Sequence, residues 1–350
     1  MPAQPMSEAD RGREAEWPSQ IPTRGWKDVL WRVYQQVVED RVMLVAAGAA
    51  FYLMLAIFPA LGAFVSIYGF VADPTSIAGQ IEFLQGVMPS GGLDLIYSQL
   101  ESLATQDPSA LSIGLVVTLA VSLWSANNGV KTLFEALNIA YEEEEKRSFI
   151  KLNLVAFTFT LGTTVAMIVM IAAIGVVPAV LAFVNLGGFS QILIAFGRWI
   201  LVLGMMIFGI SLLYRFGPSR KRAKWRWINW GSILATLVWL VSSIGFSYYL
   251  QNFAEYNATY GSLGAAIGFM LWIWLSAVIL IVGAELNAEM EHQTARDSTT
   301  GKDRPMGERG AVVADTVGPK RGSPAALAFT LKHAEALSDR LLKRRLRRQD

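Results

Sequence analysis

The most informative stretch of the sequence is "YNATYGSLGAAIGFMLWIWLSAVILIVGAELNAEME", residues 256–291. Its central part, Ser262 to Ala284, contains no charged residue. Because a helix rises about 1.5 Å per residue and must cross about 30 Å of hydrocarbon, this part is long enough to span a membrane. Tyr, Asn and Gly crowd its beginning and acidic residues follow its end. These polar flanks raise the question of whether the segment only crosses a bilayer or also binds a ligand there.

The composition of the whole chain indicates a membrane protein. Of 350 residues, 53% are hydrophobic and 17% are charged, whereas soluble domains carry about a quarter charged residues. The chain has no cysteine, which excludes disulfides, thiolate catalysis and cysteine metal sites. The first residues lack the apolar stretch of a cleaved signal peptide. We therefore expect a polytopic membrane protein.

Apolar stretches long enough to span a bilayer occur six times. They predict spans at about 42–71, 111–130, 152–184, 191–214, 228–250 and 262–284. The uncharged stretch that holds spans three and four is too long for one crossing, and "NLGGFS" at 185–190 supplies the turn between them. The predicted fold class is all-α, a bundle of six transmembrane helices.

The distribution of basic residues predicts the orientation of the bundle. Of the 30 Lys and Arg, all but Lys131 and Arg198 fall in the two tails or in the loops after spans two and four. The first outer loop, 72–110, contains acidic residues and no basic ones. Cytoplasmic loops are enriched in Lys and Arg, so both termini are expected in the cytoplasm.

The segments outside the spans divide the rest of the chain. We expect a disordered N-terminal tail at 1–24, a membrane domain at 25–292, a disordered linker at 293–324 and a basic amphipathic helix at 325–350. Apolar stripes in the first outer loop predict a helical hairpin that caps the bundle. Before span one, Trp26, Leu30, Val33 and Val37 recur at helical spacing. They predict an amphipathic helix that lies on the inner leaflet.

Four motifs in order along the chain resemble the YihY/BrkB family of bacterial inner-membrane proteins. They are "AAGAAFYLMLAIFPAL" in span one, "GVKTLFEALNIAY" after span two, "LYRFGP" after span four, and the stretch quoted first. The resemblance covers about 25–292 and implies a six-helix fold in the bacterial cytoplasmic membrane. The family was formerly labelled ribonuclease BN, and one branch carries a virulence-factor name. Neither label implies a mechanism or a substrate.

The residues themselves give little support to a nuclease. Phosphodiester hydrolysis generally needs metals held by clustered carboxylates or His, or a general acid–base pair. The two histidines, His292 and His333, both follow the last span, and the acidic run Glu142 to Glu145 is followed directly by bases, as in a solvated turn. No P-loop is present. We expect no catalytic residue, no cofactor and no metal ligand, and no nucleic-acid partner.

Polar residues in or beside the spans are the candidates for contacts with a substrate or a lipid. An intramembrane charge is expensive, and it usually serves a function. The candidates are Asn127, Asn128, Lys131, Glu135, Arg198, Asn257, Tyr260 and Glu285. On α-helical spacing, Asn128, Lys131, Glu135 and Asn138 share one face of span two. One interpretation is an interfacial ion pair between Lys131 and Glu135, and the other is a polar stripe that lines an inward-facing cavity.

Two hypotheses of function follow. The first is transport or translocation of a lipidic or amphipathic substrate across the cytoplasmic membrane. The second is a non-transporting protein that organises the envelope through its basic segments. In both, the phospholipid bilayer is a partner, with anionic lipids bound by the basic loops and the C-terminal tail. The sequence leaves the oligomeric state open, a homo-oligomer included.

Overall fold

The structure is a computed structural model that describes residues 10–68, 88, 93, 94, 96–98, 101, 111–183, 188–252 and 264–324. Almost all of the first outer loop, where a helical hairpin is expected, lies outside these residues. The expected C-terminal helix at 325–350 lies wholly outside them. Both therefore remain predictions.

The described residues form an all-helical fold with no β-strand. A short 3₁₀ turn, Pro18–Gln20, precedes the helices. The helices are α1 Thr23–Glu39, α2 Val42–Tyr68, α3 Leu111–Ala140, α4 Phe149–Phe183, α5 Gly188–Phe216, α6 Trp225–Asn252, α7 Gly264–Glu291 and the single turn α8 Val312–Asp315.

Four of these helices contain described stretches that are long and apolar enough to cross a membrane. The stretches are Phe149–Ala166, Trp199–Phe216, Trp225–Leu250 and Gly264–Glu291. They belong to α4, α5, α6 and α7 and coincide with predicted spans three to six. Helices α2 and α3 cover predicted spans one and two, and the described apolar part of α2 is the shorter stretch Val42–Ala56. The count of six spans and the side of the termini remain predictions.

Helix α7 lies at the centre of the fold. It packs against α1, α2, α3 and α6. Ala277 and Ile281 lie in a core with α2 and α3, Ala284 and Ala288 in a core with α3, α5 and α6, and Met290 in a core with α1. A helix that is apolar all round is buried either in a protein core or in the membrane. The stretch quoted first is thus the helix around which the others pack.

Two glycines allow α7 to approach α5 and α6 closely. A Cβ on Gly283 would lie 2.5 Å from the Tyr214 hydroxyl and 2.8 Å from the Ala235 Cβ. A Cβ on Gly231 of α6 would clash with the side-chain amide of Asn287. Small residues bring helix backbones together where lipid supplies no hydrophobic driving force.

Residues 10–24, the described part of the tail that the sequence predicted to be disordered, make specific contacts with the rest of the protein. Arg13 is buried and donates to the carbonyl oxygens of Gln293 at 3.1 Å and Gly318 at 2.7 Å. The Ala295 amide donates to the Arg13 carbonyl at 2.7 Å. Composition did not reveal these contacts, because the partners lie almost the whole chain length away.

Residues 293–324, which the sequence predicted to be a disordered linker, also make specific contacts. Arg309 is 5% exposed and donates to the carbonyls of Ala314 at 2.6 Å and Ala295 at 2.8 Å. The Lys224 amide donates to the Ser298 carbonyl at 2.8 Å, which ties the segment to the start of α6. A polar segment can be ordered without an apolar core of its own when its backbone groups find partners of this kind.

Helix α1 buries most of the apolar stripe that the sequence predicted, together with polar side chains beside it. Val33 is buried and Trp26 and Val37 pack in the core with α7, whereas Leu30 is 57% exposed. The polar residues Asp28, Arg32 and Gln36 are also buried, and the end of α7 supplies the partner of Arg32. The helix was correctly predicted, but its orientation depends on tertiary contacts.

Candidate functional site

The first candidate site is a polar cluster between α3 and α4. The Asn153 side-chain oxygen accepts hydrogen bonds from Asn127 Nδ2 at 3.1 Å and from Lys131 Nζ at 3.0 Å. Asn153 Nδ2 donates to the Phe149 carbonyl at 2.7 Å, which fixes the direction of the amide. Asn153 thus joins two predicted site residues. Sequence reasoning missed Asn153, although it is an Asn one residue inside a predicted span.

The expected ion pair between Lys131 and Glu135 is not present. Glu135 is exposed, and among the described residues Lys131 contacts no carboxylate. The residues proposed to form a single polar face of span two do not all lie in this cluster. Asn138 lies beyond the cluster, where its side-chain oxygen accepts the Ser219 amide at 2.7 Å. Asn128 is half-buried, and its carbonyl accepts the Thr132 hydroxyl at 3.0 Å.

The other predicted site residues have different outcomes. Asn257, Tyr260 and the side chain of Arg198 lie outside the described part of the structure. Glu285 is 1% exposed and belongs to α7. Its side chain therefore faces the protein interior.

Glu285 introduces a second and larger candidate site, which we call the polar end of the bundle. It is formed by the end of α7 and the two residues after it (285–293), α1, the α3–α4 turn (141–148), the α5–α6 turn (217–224) and residues 294–319. At its centre, Arg32 pairs with the Glu289 carboxylate and is 0% exposed. Its guanidinium also donates to the Gln293 side chain at 2.8 Å and to the Pro319 carbonyl at 3.1 Å. The buried charge is thus paired and hydrogen-bonded, as its burial requires.

A second buried ion pair lies on the other side of α7. Arg220 Nη2 donates to Glu291 Oε2 at 2.6 Å, and the Ser298 hydroxyl donates to the same oxygen at 2.7 Å. The Arg220 guanidinium lies 4.8 Å from the centre of the Tyr141 ring. Burial lowers the pKa of Arg220, but Glu291 and Tyr141 outweigh it and raise the pKa. Burial and the Glu291 charge raise the pKa of the Tyr141 hydroxyl.

The acidic run after α3 is not a solvated turn throughout. Glu143 is buried, and its carboxylate accepts the Val312 amide at 2.8 Å and the Lys146 ammonium at 2.7 Å. Burial raises the pKa of Glu145, but hydrogen bonds from Arg147 and Asn138 outweigh it and lower the pKa to about 2. The run attaches residues 312–315 to the bundle, a role that local charge pairing did not predict.

Glu142 brings the acidic run next to the α7 carboxylates. It has a positive φ of 54°, directly after the end of α3, where glycine is the usual residue. Its Oε1 accepts a hydrogen bond from Gln36 Nε2 at 3.1 Å. Ligand atoms of Glu142, Glu289 and His292 lie within 4.8 Å of one another, so these three residues are able to hold a metal ion. The Glu285 carboxyl faces those of Asp40, Glu142 and Glu289.

Most residues of the polar end were missed by sequence reasoning. One signal was available, since Glu285, Glu289 and His292 follow spacings of four and three and therefore share a helical face. Their partners come from α1 and from the turn after α3, and spacing within one helix cannot predict those contacts.

Comparisons with known proteins agree with the predicted resemblance. Residues 33–307 match the family model described as "Virulence factor BrkB", which extends beyond the expected limit of 292. A "Putative ribonuclease-like protein YfkH" of Bacillus subtilis is 30% identical over 69% of this chain and 88% of its own length. A "UPF0761 membrane protein" of Pseudoalteromonas translucida is 24% identical over 78% of this chain and 88% of its own length. No solved structure matches.

Proposed function

This chain belongs to the Virulence factor BrkB family, and from that premise we propose that it moves a lipidic or amphipathic substrate across the membrane. It is a multi-pass protein of the bacterial cytoplasmic (inner) membrane. We propose also that both termini lie in the cytoplasm, because almost all Lys and Arg belong to the tails and to alternate loops.

The observation that carries this proposal is the position of Lys131. Its ammonium is held by an amide oxygen of Asn153 and by no carboxylate among the described residues. A cation whose partner is neutral can still form an ion pair with an anion, whereas a cation in a salt bridge already has an anionic partner. Lys131 is also half-buried, so its charge is less well solvated than on an open surface.

The surroundings of Lys131 suit the apolar part of an amphipathic molecule. Trp124 on α3 is 68% exposed, and Ile150 and Leu154 on α4 are 78% and 65% exposed. An anionic headgroup bound at Lys131 would leave its hydrocarbon chains beside these side chains. Such a molecule would reach Lys131 laterally, from within the bilayer.

A second group of cations supports a preference for anionic headgroups. The Arg215 guanidinium lies 4.3 Å from the centre of the Trp225 ring, and Arg222 lies over Phe216 at 4.7 Å. Aromatic stacking fixes the plane of a guanidinium and leaves its N–H groups for an anion.

We also propose that the chain is not a nuclease, although one relative is named ribonuclease-like. The carboxylates and histidine at the polar end are clustered as a nuclease would need. However, Glu289 and His292 are only 2% and 6% exposed and are covered by Arg32 and Thr316. A phosphodiester chain cannot reach them in this conformation. A purified sample that cleaves RNA and loses this activity in Glu289→Gln would contradict this part of the proposal.

The test of transport uses proteoliposomes that contain fluorescent phosphatidylglycerol and a membrane-impermeant quencher. We expect the purified chain to accelerate exchange of this anionic lipid between leaflets, and to accelerate exchange of fluorescent phosphatidylcholine less. The absence of cysteine in the chain allows a second measurement. Single cysteines at positions 127 and 131 should react with a water-soluble maleimide, and one at the lipid-exposed position 124 should not.

The alternative function predicts the opposite results. If the chain only organises lipids or proteins, folded protein in the vesicles will not accelerate lipid exchange. The cysteine at 135, on the exposed part of α3, will then react while those at 127 and 131 will not. That combination would favour the non-transporting envelope protein.

A further inference from the structure

The polar end of the bundle contains a group of buried acceptor atoms that lack donors. Gln36 Oε1 and His292 Nδ1 are buried and receive no hydrogen bond from any described residue, and the buried Glu285 carboxyl faces the Asp40 carboxyl. Buried polar atoms without a partner cost free energy, and each such atom in a native protein needs an explanation. Acceptors grouped in this way would be satisfied by a cation.

The Thr316 hydroxyl fits one tautomer of His292. Its oxygen lies 2.8 Å from the Val312 carbonyl, to which it donates, and 2.9 Å from His292 Nε2. With its single proton on the carbonyl, the hydroxyl accepts a proton from the Nε2–H tautomer. In the neutral imidazole, Nδ1 then carries a free lone pair. Metal-binding histidines commonly donate their second N–H in this manner.

The carboxylates of Glu289 and Glu142 lie near this lone pair. Glu289 Oε2 lies 3.7 Å from His292 Nδ1, which is too long for a hydrogen bond. Glu142 contributes from the α3–α4 turn, and the ligand atoms of the three residues lie within 4.8 Å of one another. Arg32 occupies one direction of the Glu289 carboxylate, but a carboxylate has two oxygens and about four acceptor directions.

The charge of the neighbourhood favours a cation. The carboxyl groups of Asp40, Glu142 and Glu289 all face the buried Glu285 carboxyl. Carboxylates gathered in an interior repel one another and are poorly solvated. Glu142 is exposed, so it provides a route by which an ion from solution reaches the buried ligands.

We propose that Glu142, Glu289 and His292 bind a divalent transition-metal cation, with Gln36 and Glu285 completing its surroundings. One nitrogen among carboxylate and amide oxygens suits Mn²⁺, Fe²⁺ or Zn²⁺ better than Mg²⁺ or Ca²⁺, which prefer oxygen alone. The ion joins α1, the α3–α4 turn and α7, which are separate in sequence. The site is independent of the transport proposed above, because none of its ligands belongs to the Lys131 cluster.

The test is Mn²⁺ binding by the full-length protein in detergent, followed by the electron paramagnetic resonance signal of free Mn²⁺. We expect one ion per chain, displaced by Zn²⁺. Glu142→Gln keeps the size of the side chain and changes an exposed position, so the variant should fold. It should bind Mn²⁺ at least about tenfold more weakly. The matched control is Glu144→Gln in the same acidic run, which is exposed and should bind as the wild type does.

Thermal unfolding, followed by the fluorescence of the 11 tryptophans, supplies the second readout. Removal of metal with EDTA should lower the Tm of the wild type and of Glu144→Gln, and Mn²⁺ should restore it, because a ligand of the folded state stabilises that state. Glu142→Gln should show neither effect. The proposal is overturned if the wild type binds no Mn²⁺, or if Glu142→Gln matches the wild type in binding and Tm response.

Discussion

Lys131 donates its hydrogen bond to Asn153 on the neighbouring helix at 3.0 Å, and not to Glu135 one turn away on its own helix. Spacing of four residues allows a Lys–Glu pair, but an exposed pair of this kind contributes only about 0.3–0.5 kcal/mol. Such a small preference is easily overcome by the half-buried amide of Asn153. The Lys131 ammonium group therefore contributes to the contact between α3 and α4.

Replacement of Lys131 tests the proposed transport site. We expect Lys131→Ala to lower the lipid-exchange rate at least about tenfold, because a hydrogen bond to a charged group contributes about 1.5–3 kcal/mol. The amount of folded protein in the membrane should not change. Glu135→Ala is the control and should exchange lipid at the wild-type rate. Equal activity of the Lys131→Ala, Glu135→Ala double variant and the wild type would remove both residues from any substrate site.

Replacement of Arg32 tests the buried ion pair at the polar end. Arg32→Ala leaves the Glu289 carboxylate buried without its guanidinium partner, and we expect a loss of about 3–5 kcal/mol in the free energy of unfolding. Arg24 lies on the same helix as Arg32 and forms an exposed ion pair with Asp10. Arg24→Ala should therefore have little effect. Thermal unfolding in detergent measures both. An Arg32→Ala variant as stable as Arg24→Ala would show that the pair is not buried as described.

Two glycines of α6 test the close packing of α7. Gly231→Ala would insert a methyl group against Asn287, whose Oδ1 accepts the Gly231 amide at 2.9 Å. We expect a loss of about 1–3 kcal/mol, as for other overpacked cores. Gly245 has no neighbouring atom within 4 Å of the added methyl group, so Gly245→Ala should be neutral or slightly stabilising. Comparison of the two Tm values separates crowding from helix propensity.

The attachment of residues 294–319 should depend on pH. Burial raises the pKa values of Asp297 and Asp315, but backbone hydrogen bonds, among them those from Arg304 to Asp297 and from Arg309 to Asp315, outweigh it and lower both pKa values. A carboxylate with a lowered pKa stabilises the fold above its unfolded pKa of about 3.9 and loses that contribution as the pH falls through its folded value. The segment should therefore detach in acid and remain attached at neutral pH.

A fluorophore on a cysteine at the exposed position 302 measures this detachment. Its anisotropy should fall on acidification, at a pH below the ordinary pKa of aspartate. Asp315→Asn should already give low anisotropy at neutral pH, because an amide accepts the backbone N–H groups less strongly. Asp303, whose side chain is 81% exposed, is the control, and Asp303→Asn should follow the wild-type curve. An unchanged Asp315→Asn curve would contradict the role of this carboxylate.

Hydropathy was sufficient to predict most of the helical framework. The apolar stretches correctly predicted helices at all six expected spans, because a chain in lipid must satisfy its backbone within each helix. Family membership was predicted equally well, because residues 33–307 match the family model. Composition does not predict the contacts of 10–24 and 293–324, because these depend on carbonyls and carboxylates that lie far away in the sequence.

Hydropathy and composition were enough to predict an all-helical membrane protein and to single out Lys131, Glu285 and their polar neighbours. The contacts of these residues depend on the tertiary structure. Lys131 lies against Asn153 of α4 because two helices cross there, and Glu142 meets Glu289 and His292 because the turn after α3 packs on the end of α7. Hydrophobic periodicity is a property of one segment, whereas pairing of buried polar groups depends on several segments brought together by packing.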